Sequence, residues 1–515
     1  MISAIALERP GKWRVVGVAA LLLVAVLPAV PFLWRTLASG ETTSLGGAFG
    51  GAIWNSVVVA MLVAVTSLVV GLPAGVVTGL YEFPRRRVLL AVLVLPVLVP
   101  SFLWAIGWSS LAARLGPAAT AVLSGHTGCV IVFFAEMFPL VLLTSLAATA
   151  ALSGSQIEAA RLAGGERAVL SHACRYVAVP ASLAARLGGV LTLSDPGPGQ
   201  ILGLQVAASE ILTSFSALYD FGLAGRQCTA LAALVLISAM PLVYLAAPRL
   251  AAESLGRQSR PFHPLRHRQI AVVANVGLTL LVLSMVISPL AGLVLPLLNG
   301  VEFRRAWSEV SRTGFNTLLY AGGAGMVATL MGLLLALCVG RNQRLRTVCL
   351  SVCLAMFSLP PALGAFGIID LATNAPAWAD PLLRSRATVC LALGLRFFPV
   401  VAVLALRAWG SMSVSWTQAA GIHGVPLSTY LRKVVIPFLV PAGATALLLV
   451  ALLATADVGT VLLLHPPGKS SLSLTVFTVM ANAPESLVAS LCVAYVGLAA
   501  GFLIAVGAIA RRAAA

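Results

Sequence analysis

The chain has 515 residues, of which 60% are hydrophobic and only 10% are charged, and its mean hydropathy is +1.01. A typical soluble domain carries about a quarter charged residues, and a membrane-spanning helix needs about 20 mostly apolar residues in succession. The composition therefore excludes a soluble enzyme, a secreted disulfide scaffold, a fibrous repeat and a disordered chain. It predicts an all-α, polytopic membrane protein embedded in the lipid bilayer.

Apolar runs along the chain predict twelve transmembrane helices. They lie near 15–34, 53–80, 88–110, 128–150, 178–194, 226–248, 269–298, 315–340, 347–369, 386–409, 438–462 and 487–510. The fifth run is the weakest, because Arg186 interrupts it and Asp195-Pro196-Gly197 ends it abruptly. The first run follows Arg9, Lys12 and Arg14, which predicts an uncleaved first span rather than a signal peptide.

The formal net charge of +17 has to be located before it is interpreted. If the N-terminus is cytoplasmic, the basic residues concentrate in the predicted cytoplasmic segments, among them Arg85–Arg87 and the stretch 249–268. This is the positive-inside pattern of membrane proteins. The charge therefore indicates topology, with both termini in the cytoplasm, and predicts no nucleic-acid partner.

The two halves of the sequence match at a nearly constant spacing, which predicts an internal repeat. The matched positions are Trp54-Asn55-Ser56 with Phe315-Asn316-Thr317, Gly71 with Gly332, Pro100 with Pro361, and Phe138-Pro139 with Phe398-Pro399. We interpret 1–248 as a first six-span repeat, 249–268 as a basic cytoplasmic linker and 269–515 as a second six-span repeat. Six is an even number, so both repeats enter the membrane in the same direction and are related by an axis along its normal.

Within the repeats, the two longest polar segments on the predicted cytoplasmic side are 153–180 and 411–437. Each contains a short helical stretch with small residues, then a glycine, then a basic amphipathic stretch that reaches a proline. Alanine permits close helix approach, and glycine permits a tight turn between two helices. The pattern predicts a short helix, a turn and a second helix, with the proline beginning the next span.

Both segments resemble the EAA loop of binding-protein-dependent ABC importer permeases. The family pattern is E-A-A, three residues, G, nine residues, an apolar residue, any residue, an apolar residue and P. The second segment fits this spacing throughout, with glutamine in place of glutamate: Gln418-Ala419-Ala420, Gly424, Val434, Ile436 and Pro437. The first segment keeps Glu158-Ala159-Ala160 and Gly164, but Pro180 comes three residues late.

The resemblance implies a permease subunit that forms the translocation pathway in a bacterial inner membrane. Its loops would couple to separate ABC ATPase subunits, two copies for a chain that fuses both repeats, and an extracytoplasmic binding protein would deliver the substrate. Glu158, Gln418 and the alanines and glycines of the two loops would then be the coupling residues. Helix packing is an equally open role for the alanines and glycines, and a solvated loop position is an alternative for Glu158.

A second resemblance concerns the subfamily. The segment from Asp457-Val458-Gly459-Thr460 through Pro466-Pro467-Gly468 to Ser471-Leu472-Ser473-Leu474 is similar to the second half of fused permeases for ferric iron, 2-aminoethylphosphonate and thiamine. Asp195-Pro196-Gly197 would be the first-half counterpart. This implies ferric iron or a related small solute as cargo; the alternative is that the proline and glycine merely turn an external loop.

Few residues are candidates for catalysis or metal binding. Gly468-Lys469-Ser470 resembles the end of a phosphate-binding P-loop, but position 463 is leucine where that motif needs glycine, so we expect no ATPase activity and no enzyme. Cys349 and Cys353 lie one helical turn apart and are interpreted as small apolar residues rather than a metal site. We expect no metal and no cofactor.

Three acidic residues are candidates for the pathway or for contact with the binding protein. Glu136 is the clearest acid inside a predicted span, where acidic side chains usually face a bundle interior or a cavity; a helix-packing hydrogen bond is the alternative role. Asp195 and Asp457, near the predicted outer face, are lesser candidates.

Two other classes of protein compete with the importer permease. A secondary transporter of the major facilitator type also has two parallel six-span halves, but the two long loops and the few intramembrane charges argue against it. An integral membrane enzyme such as a lipid transferase would need clustered catalytic residues at one membrane face, and the sequence offers no such cluster.

Overall fold

The computed structural model describes residues 12–38, 45–255, 264–300, 302–480 and 482–514. Helix accounts for 86% of the structure and the described residues form no strand, which confirms the all-α class. The α-helices are α1 (Lys12–Val26), α2 (Ala29–Ala38), α3 (Phe49–Leu80), α4 (Arg86–Leu98), α5 (Ser101–Leu115), α6 (Pro117–Leu123), α7 (Gly125–Thr149), α8 (Gly154–Thr192), α9 (Gly197–Leu202), α10 (Ala207–Ser216), α11 (Phe221–Glu253), α12 (Arg268–Val282), α13 (Ser288–Val294), α14 (Phe303–Val339), α15 (Gln343–Ser358), α16 (Pro361–Thr373), α17 (Asp380–Leu383), α18 (Arg386–Ser411), α19 (Val414–Ile422), α20 (Leu427–Tyr430), α21 (Ile436–Ala456), α22 (Val458–Leu464), α23 (Leu472–Val479) and α24 (Glu485–Ala514).

Among the described residues, eight helices are long and apolar enough to cross a membrane, or ten if each of two bent pairs counts as one span. The eight are Phe49–Leu80, Gly125–Thr149, Phe221–Glu253, Arg268–Leu298, Arg304–Val339, Arg386–Ser411, Leu427–Ala456 and Glu485–Ala505. The predicted spans 15–34 and 178–194 are not among them: the first is divided between α1 and α2, and the second is the end of α8. The chain is a multi-pass membrane protein, and the count of twelve spans stays a prediction.

The outward surface of the long helices is apolar. On α3, Met61, Val65 and Val69 follow one another at one-turn intervals, and each is more than half exposed. On α11, Ile237, Met240 and Tyr244 are likewise exposed. A stripe of this kind is unfavourable in water and is what lipid tails solvate.

Two predicted spans are sharply bent rather than straight. α4 and α5 meet at 103°, and α15 and α16 meet at 92°, where the sequence predicted single runs at 88–110 and 347–369. The residue before a proline is disfavoured in the helical conformation. Val99 and Leu359, which precede Pro100 and Pro360, are accordingly extended, with ψ of 136° and 146°. The prolines therefore break the helices at equivalent places, although the residue in the place of Pro100 is Pro360 and not Pro361, with which the sequence comparison matched it.

The order of helices in the first half recurs in the second. Each half has a long helix, a bent pair, a second long helix, a helix with a glycine turn near its start, two short helices and a final long helix. The matched glycines make equivalent contacts: a Cβ on Gly71 would lie 2.8 Å from Val141 Cβ, and one on Gly332 would lie 3.0 Å from Val401 Cβ. The repeat boundaries at 248 and 268 stay a prediction; residues 256–263 of the linker lie outside the described ones.

The matched Asn-Ser and Asn-Thr pairs also have the same structural role. Asn55 Nδ2 donates to the carbonyl of Gln205 at 3.0 Å, and Asn316 Nδ2 donates to that of Ser470 at 3.3 Å. The hydroxyl next to each amide caps a short helix: Ser56 Oγ accepts from the N–H of Ala207 at 2.9 Å, and Thr317 Oγ1 accepts from that of Leu472 at 2.8 Å. These bonds fasten α10 to α3 and α23 to α14.

The two halves exchange their first helices. α2 of the first half packs against α16 of the second, and α13 of the second half packs against α5 of the first. The approach is close enough that Gly367 lies against the backbone of Pro28, and Gly292 against that of Gly107. The bent pair of each half is thus covered by the other half, which joins the two repeats into one core.

Candidate coupling loops and intramembrane charge cluster

Both loops that resemble the EAA loop fold as two helices joined at a glycine, as predicted. In α8 the turn falls at Gly164 and Gly165, whose φ values are −168° and +63°. Between α19 and α20 it falls at Gly424, with φ of +62°, a left-handed conformation that glycine adopts without strain. The first loop begins with a capping box, in which Ser153 Oγ accepts from the N–H of Gln156 at 3.3 Å.

The prediction that a proline begins the next span is wrong for the first loop, whereas in the second loop Pro437 lies in the first turn of α21. After the glycine turn, α8 runs without a break through Pro180 to Thr192. In the second loop, helical structure is continuous from Leu427, with a π-helical turn at Leu431–Val435 directly before Pro437. Proline lacks an N–H and crowds the carbonyl four residues earlier, and the wider π turn accommodates that mismatch.

The predicted coupling residues divide into an exposed face and a packed face. Glu158 and Ala159 of the first loop are exposed, as are Gln418 and Ala419 of the second, whereas Ala160 is half-buried and Ala420 is buried. For Ala420 the packing role that the sequence left open is the one seen. The two alanines of each motif differ in exposure because successive residues on a helix point about 100° apart.

At the tip of each loop, just before the turn glycine, one apolar side chain is almost fully exposed. Leu162 is 90% exposed and Ile422 is 81% exposed, and the two occupy equivalent places, two residues before the turn glycine. Sequence reasoning singled out neither of them. The signal that would have found them is their place on the same helix face as Glu158 and Gln418, four residues further on.

Hydrogen bonds join the first loop to the end of α3 and the two helices of the second loop to each other. In the first, Tyr81 Oη donates to Glu166 Oε2 at 2.5 Å, and Glu166 Oε1 is paired with Arg161 Nη2 at 2.6 Å. Burial first, and then the hydrogen bond to Glu166, raise the pKa of the Tyr81 hydroxyl, so it remains a donor. In the second, the hydroxyls of Thr417 and Tyr430 are 3.0 Å apart and buried.

The three predicted acids converge on one charged cluster that includes an arginine. Asp195 Oδ2 accepts from Ser101 Oγ at 2.6 Å, and its Oδ1 accepts from the N–H of Gly197 at 2.8 Å. Asp195 interacts electrostatically with Glu136 in its own half and with Asp457 and Arg396 in the other. The cluster therefore lies where the two halves meet.

In the second half, Asp457 caps α22 and pairs with Arg396. Its Oδ1 accepts from the N–H of Thr460 at 2.9 Å, its Oδ2 accepts from the hydroxyl of Thr460 at 3.0 Å, and Arg396 Nε lies 2.8 Å from Oδ2. The side chain of Asp457 is only 3% exposed. The helix-packing alternative for Glu136 has no hydrogen bond to support it, because its buried Oε2 has no partner.

Arg396 is the functional candidate that sequence reasoning missed. It lies ten residues after α18 begins, inside the predicted span 386–409. An ionisable residue at that depth is a candidate on energetic grounds alone, so hydropathy offered the signal. The segment Gly468–Ser470 has a structural role: the carbonyls of Lys469 and Ser470 accept from Tyr320 and Asn316.

The described residues contain no group of three or more His, Cys, Asp or Glu side chains arranged to hold a metal ion. Cys349 and Cys353 are buried and unpaired, in keeping with small apolar side chains on α15. Comparison of the chain with protein-family models, with curated proteins and with solved structures returns no match.

Proposed function

We propose that the chain is the permease subunit of an ABC importer, which forms the translocation pathway and is driven by separate ATPase subunits. The observation that carries the proposal is the pair of loops in equivalent positions, each a short helix, a glycine turn and a longer helix. Each presents an apolar side chain, Leu162 or Ile422, that nothing in the described structure covers. An exposed apolar group on an otherwise polar loop is typical of a docking point.

The energy available from such docking is substantial. Full burial of a leucine or isoleucine side chain contributes about 1.5–3 kcal/mol, so the two tips together could contribute several kcal/mol to binding of a partner. The small neighbours Ala159 and Ala419 leave room for a partner surface to approach the helix closely. A pair of equivalent tips on one chain fits a pair of identical partners.

Continuous helices connect these tips to the charge cluster. The part of α8 after its turn runs from Glu166 to Thr192 and ends three residues before Asp195. The helical stretch from Leu427 to Ala456 ends at Asp457. At 1.5 Å per residue, each spans about 40 Å, so a displacement at the loop is delivered to the aspartate at the other end. This is a mechanical route from an ATPase to the pathway.

The finer parts of the proposal follow the resemblance. They are two ATPase copies beneath one chain, an extracytoplasmic binding protein, and ferric iron or a related small solute as cargo. They also include a bacterial inner membrane with both termini in the cytoplasm, and Glu136, Asp195 and Asp457 along the pathway or at the contact with the binding protein.

The test is to replace each tip by a charged residue. Leu162→Glu and Ile422→Glu should abolish co-purification with the ATPase encoded nearby and ATP-driven uptake, while the chain stays in the membrane at normal level. Leu218→Glu is the matched control, because Leu218 is 62% exposed but lies before α11, near the opposite end of the molecule. Normal ATP-driven uptake by the chain that carries both tip substitutions would refute the proposal. Loss of uptake in the Leu218→Glu control alone would refute it as well.

The charge cluster favours a second candidate, a secondary transporter. Three carboxylates and one guanidinium in one cluster could couple transport to a proton gradient, although the sequence alone suggests that such groups are scarce. Reconstitution of the chain by itself in liposomes separates the two functions. Uptake driven by a proton gradient without any ATPase supports the second; uptake that needs the ATPase and ATP supports the first.

A further inference from the structure

A cavity of about 80 Å³ lies beside the charge cluster, between the first helices of one half and the bent pair of the other. Its walls come from the break between α1 and α2, from the bend between α15 and α16, and from α18. All of the lining is apolar or small except for Arg396 and Thr460. The cavity thus presents one guanidinium among apolar side chains, and the partner of that guanidinium, Asp457, is not part of the lining.

The guanidinium of Arg396 has donors that the protein does not use. Its Nε lies 2.8 Å from Asp457 Oδ2 as an ion pair, but neither Nε nor Nη1 makes a hydrogen bond of good geometry, and both atoms are buried. Arginine carries five N–H donors, and a buried donor without an acceptor is costly. Asp457 also accepts from Thr460, and Asp195 is satisfied by Ser101 and Gly197, so neither carboxylate needs the remaining guanidinium donors.

The first half does not repeat this charge. The position equivalent to Arg396 in α7 is Glu136, because Phe138-Pro139 matches Phe398-Pro399 at the same spacing, so the two halves place opposite charges at one position. Glycines, prolines and capping residues match between the halves, so the scaffold alone does not require an arginine here. At this position the positive charge occurs only in the second half, and there it lines the cavity.

We propose that this cavity binds a ligand with one anionic group, such as a carboxylate or a phosphate, joined to a small apolar body. Arg396 would hold the anion through its unused N–H groups, and the apolar walls would cover the rest. Charge-assisted hydrogen bonds of this kind are among the strong ones in proteins. Only the statement that the ligand is the transported solute, rather than another anion of the cell, rests on the proposed function.

The experiment measures binding to the purified full chain in phosphatidylcholine nanodiscs by isothermal titration calorimetry. The probes are hexanoate, 1-hexanol as its uncharged match, and inorganic phosphate as an anion without an apolar body. Hexanoate should bind at least about tenfold more tightly than hexanol, since a hydrogen bond to a charged group corresponds to that factor or more. Phosphate carries charge without an apolar body and should bind more weakly than hexanoate. Phosphate binding that needs Arg396 and is as tight as hexanoate binding would overturn the apolar part of the proposal.

Two variants and one control separate the site from the fold. Arg396→Gln/Asp457→Asn removes both charges of the pair together and should lose hexanoate binding. Gly364→Leu fills the cavity while keeping the arginine, because Gly364 lines the cavity and has no atom near its Cβ position. Arg312→Gln/Glu309→Gln removes an equivalent ion pair elsewhere, 2.6 Å long, and should bind as the wild type does.

Equal binding of hexanoate and hexanol, or unchanged hexanoate binding in both cavity variants, would overturn the proposal. The absence of any probe binding to the wild type would also overturn it. None of these outcomes bears on the ATPase. A chain that binds hexanoate but no ATPase keeps the ligand site and loses the proposed function. A chain that binds the ATPase but not hexanoate keeps the proposed function and loses the ligand site.

Discussion

Replacing Arg346 by leucine is expected to destabilise the second half strongly. The side chain is fully buried and donates to the carbonyl of Gly340 at 2.8 Å, to that of Leu406 at 2.9 Å and to Ser254 Oγ at 2.5 Å. It thus joins the end of α11 to the start of α15 and to α18. Leucine would fill part of the volume but leave these acceptors without donors. A buried acceptor left without its donor costs about 1–3 kcal/mol, so the loss of three hydrogen bonds corresponds to about 3 kcal/mol or more.

Cys349 and Cys353 report this destabilisation, because both are buried on α15 within two turns of Arg346. If their labelling by a thiol reagent requires local opening, about 3 kcal/mol corresponds to roughly 100-fold faster labelling. Arg344→Leu is the matched control on the same helix, since Arg344 is exposed and its side chain is not in this network. Equal labelling rates in the Arg346 and Arg344 variants would refute the reasoning.

Two further substitutions test the helix exchange and the repeated cap. Gly367→Ala should lower the thermal midpoint of unfolding, because its Cβ would lie 1.8 Å from the carbonyl oxygen of Pro28. Gly364→Ala is the control and should change the midpoint little, since no atom lies within 4 Å of its Cβ position. Similar midpoints for the two variants would contradict the close approach of α2 and α16. Thr317→Val keeps the shape of the side chain but removes the acceptor for the N–H of Leu472, at a cost of about 1–3 kcal/mol. Amide hydrogen exchange at Leu472 should therefore accelerate. Unchanged exchange there would show that the cap is dispensable.

Much of the fold could be predicted because hydropathy and proline act locally. The apolar runs at 53–80, 128–150, 226–248 and 386–409 correspond to single long helices, since burial in lipid requires no knowledge of partners. The bends at Pro100 and Pro360 could not be derived from apolar content, which continues across them. A proline within a span is compatible with a mild kink or with a break, and tertiary packing decides which occurs.

The candidate site was predictable only in part, for a similar reason. Glu136, Asp195 and Asp457 were visible as acids in apolar surroundings, but nothing local showed that they come together across the two halves. Arg396 lies within the apolar run 386–409, and no local feature of the sequence groups it with the three acids. Which charges pair is a property of the packing of α18 against α22, and the sequence carries no direct record of that packing.

Comparison of the two halves separates scaffold from function. Where a residue fixes the backbone, the halves agree: Asn55 and Asn316 hold the same carbonyl position, and Asp195 and Asp457 each accept from a backbone N–H just after them. Where a residue carries charge without fixing the backbone, they differ, as Arg396 does from Glu136, which holds the equivalent position in the first half. A matched scaffold with opposite charges at one position makes the interior asymmetric. If the cavity holds an anionic ligand as proposed, Arg396 on one side fixes the direction in which the charged group of that ligand points.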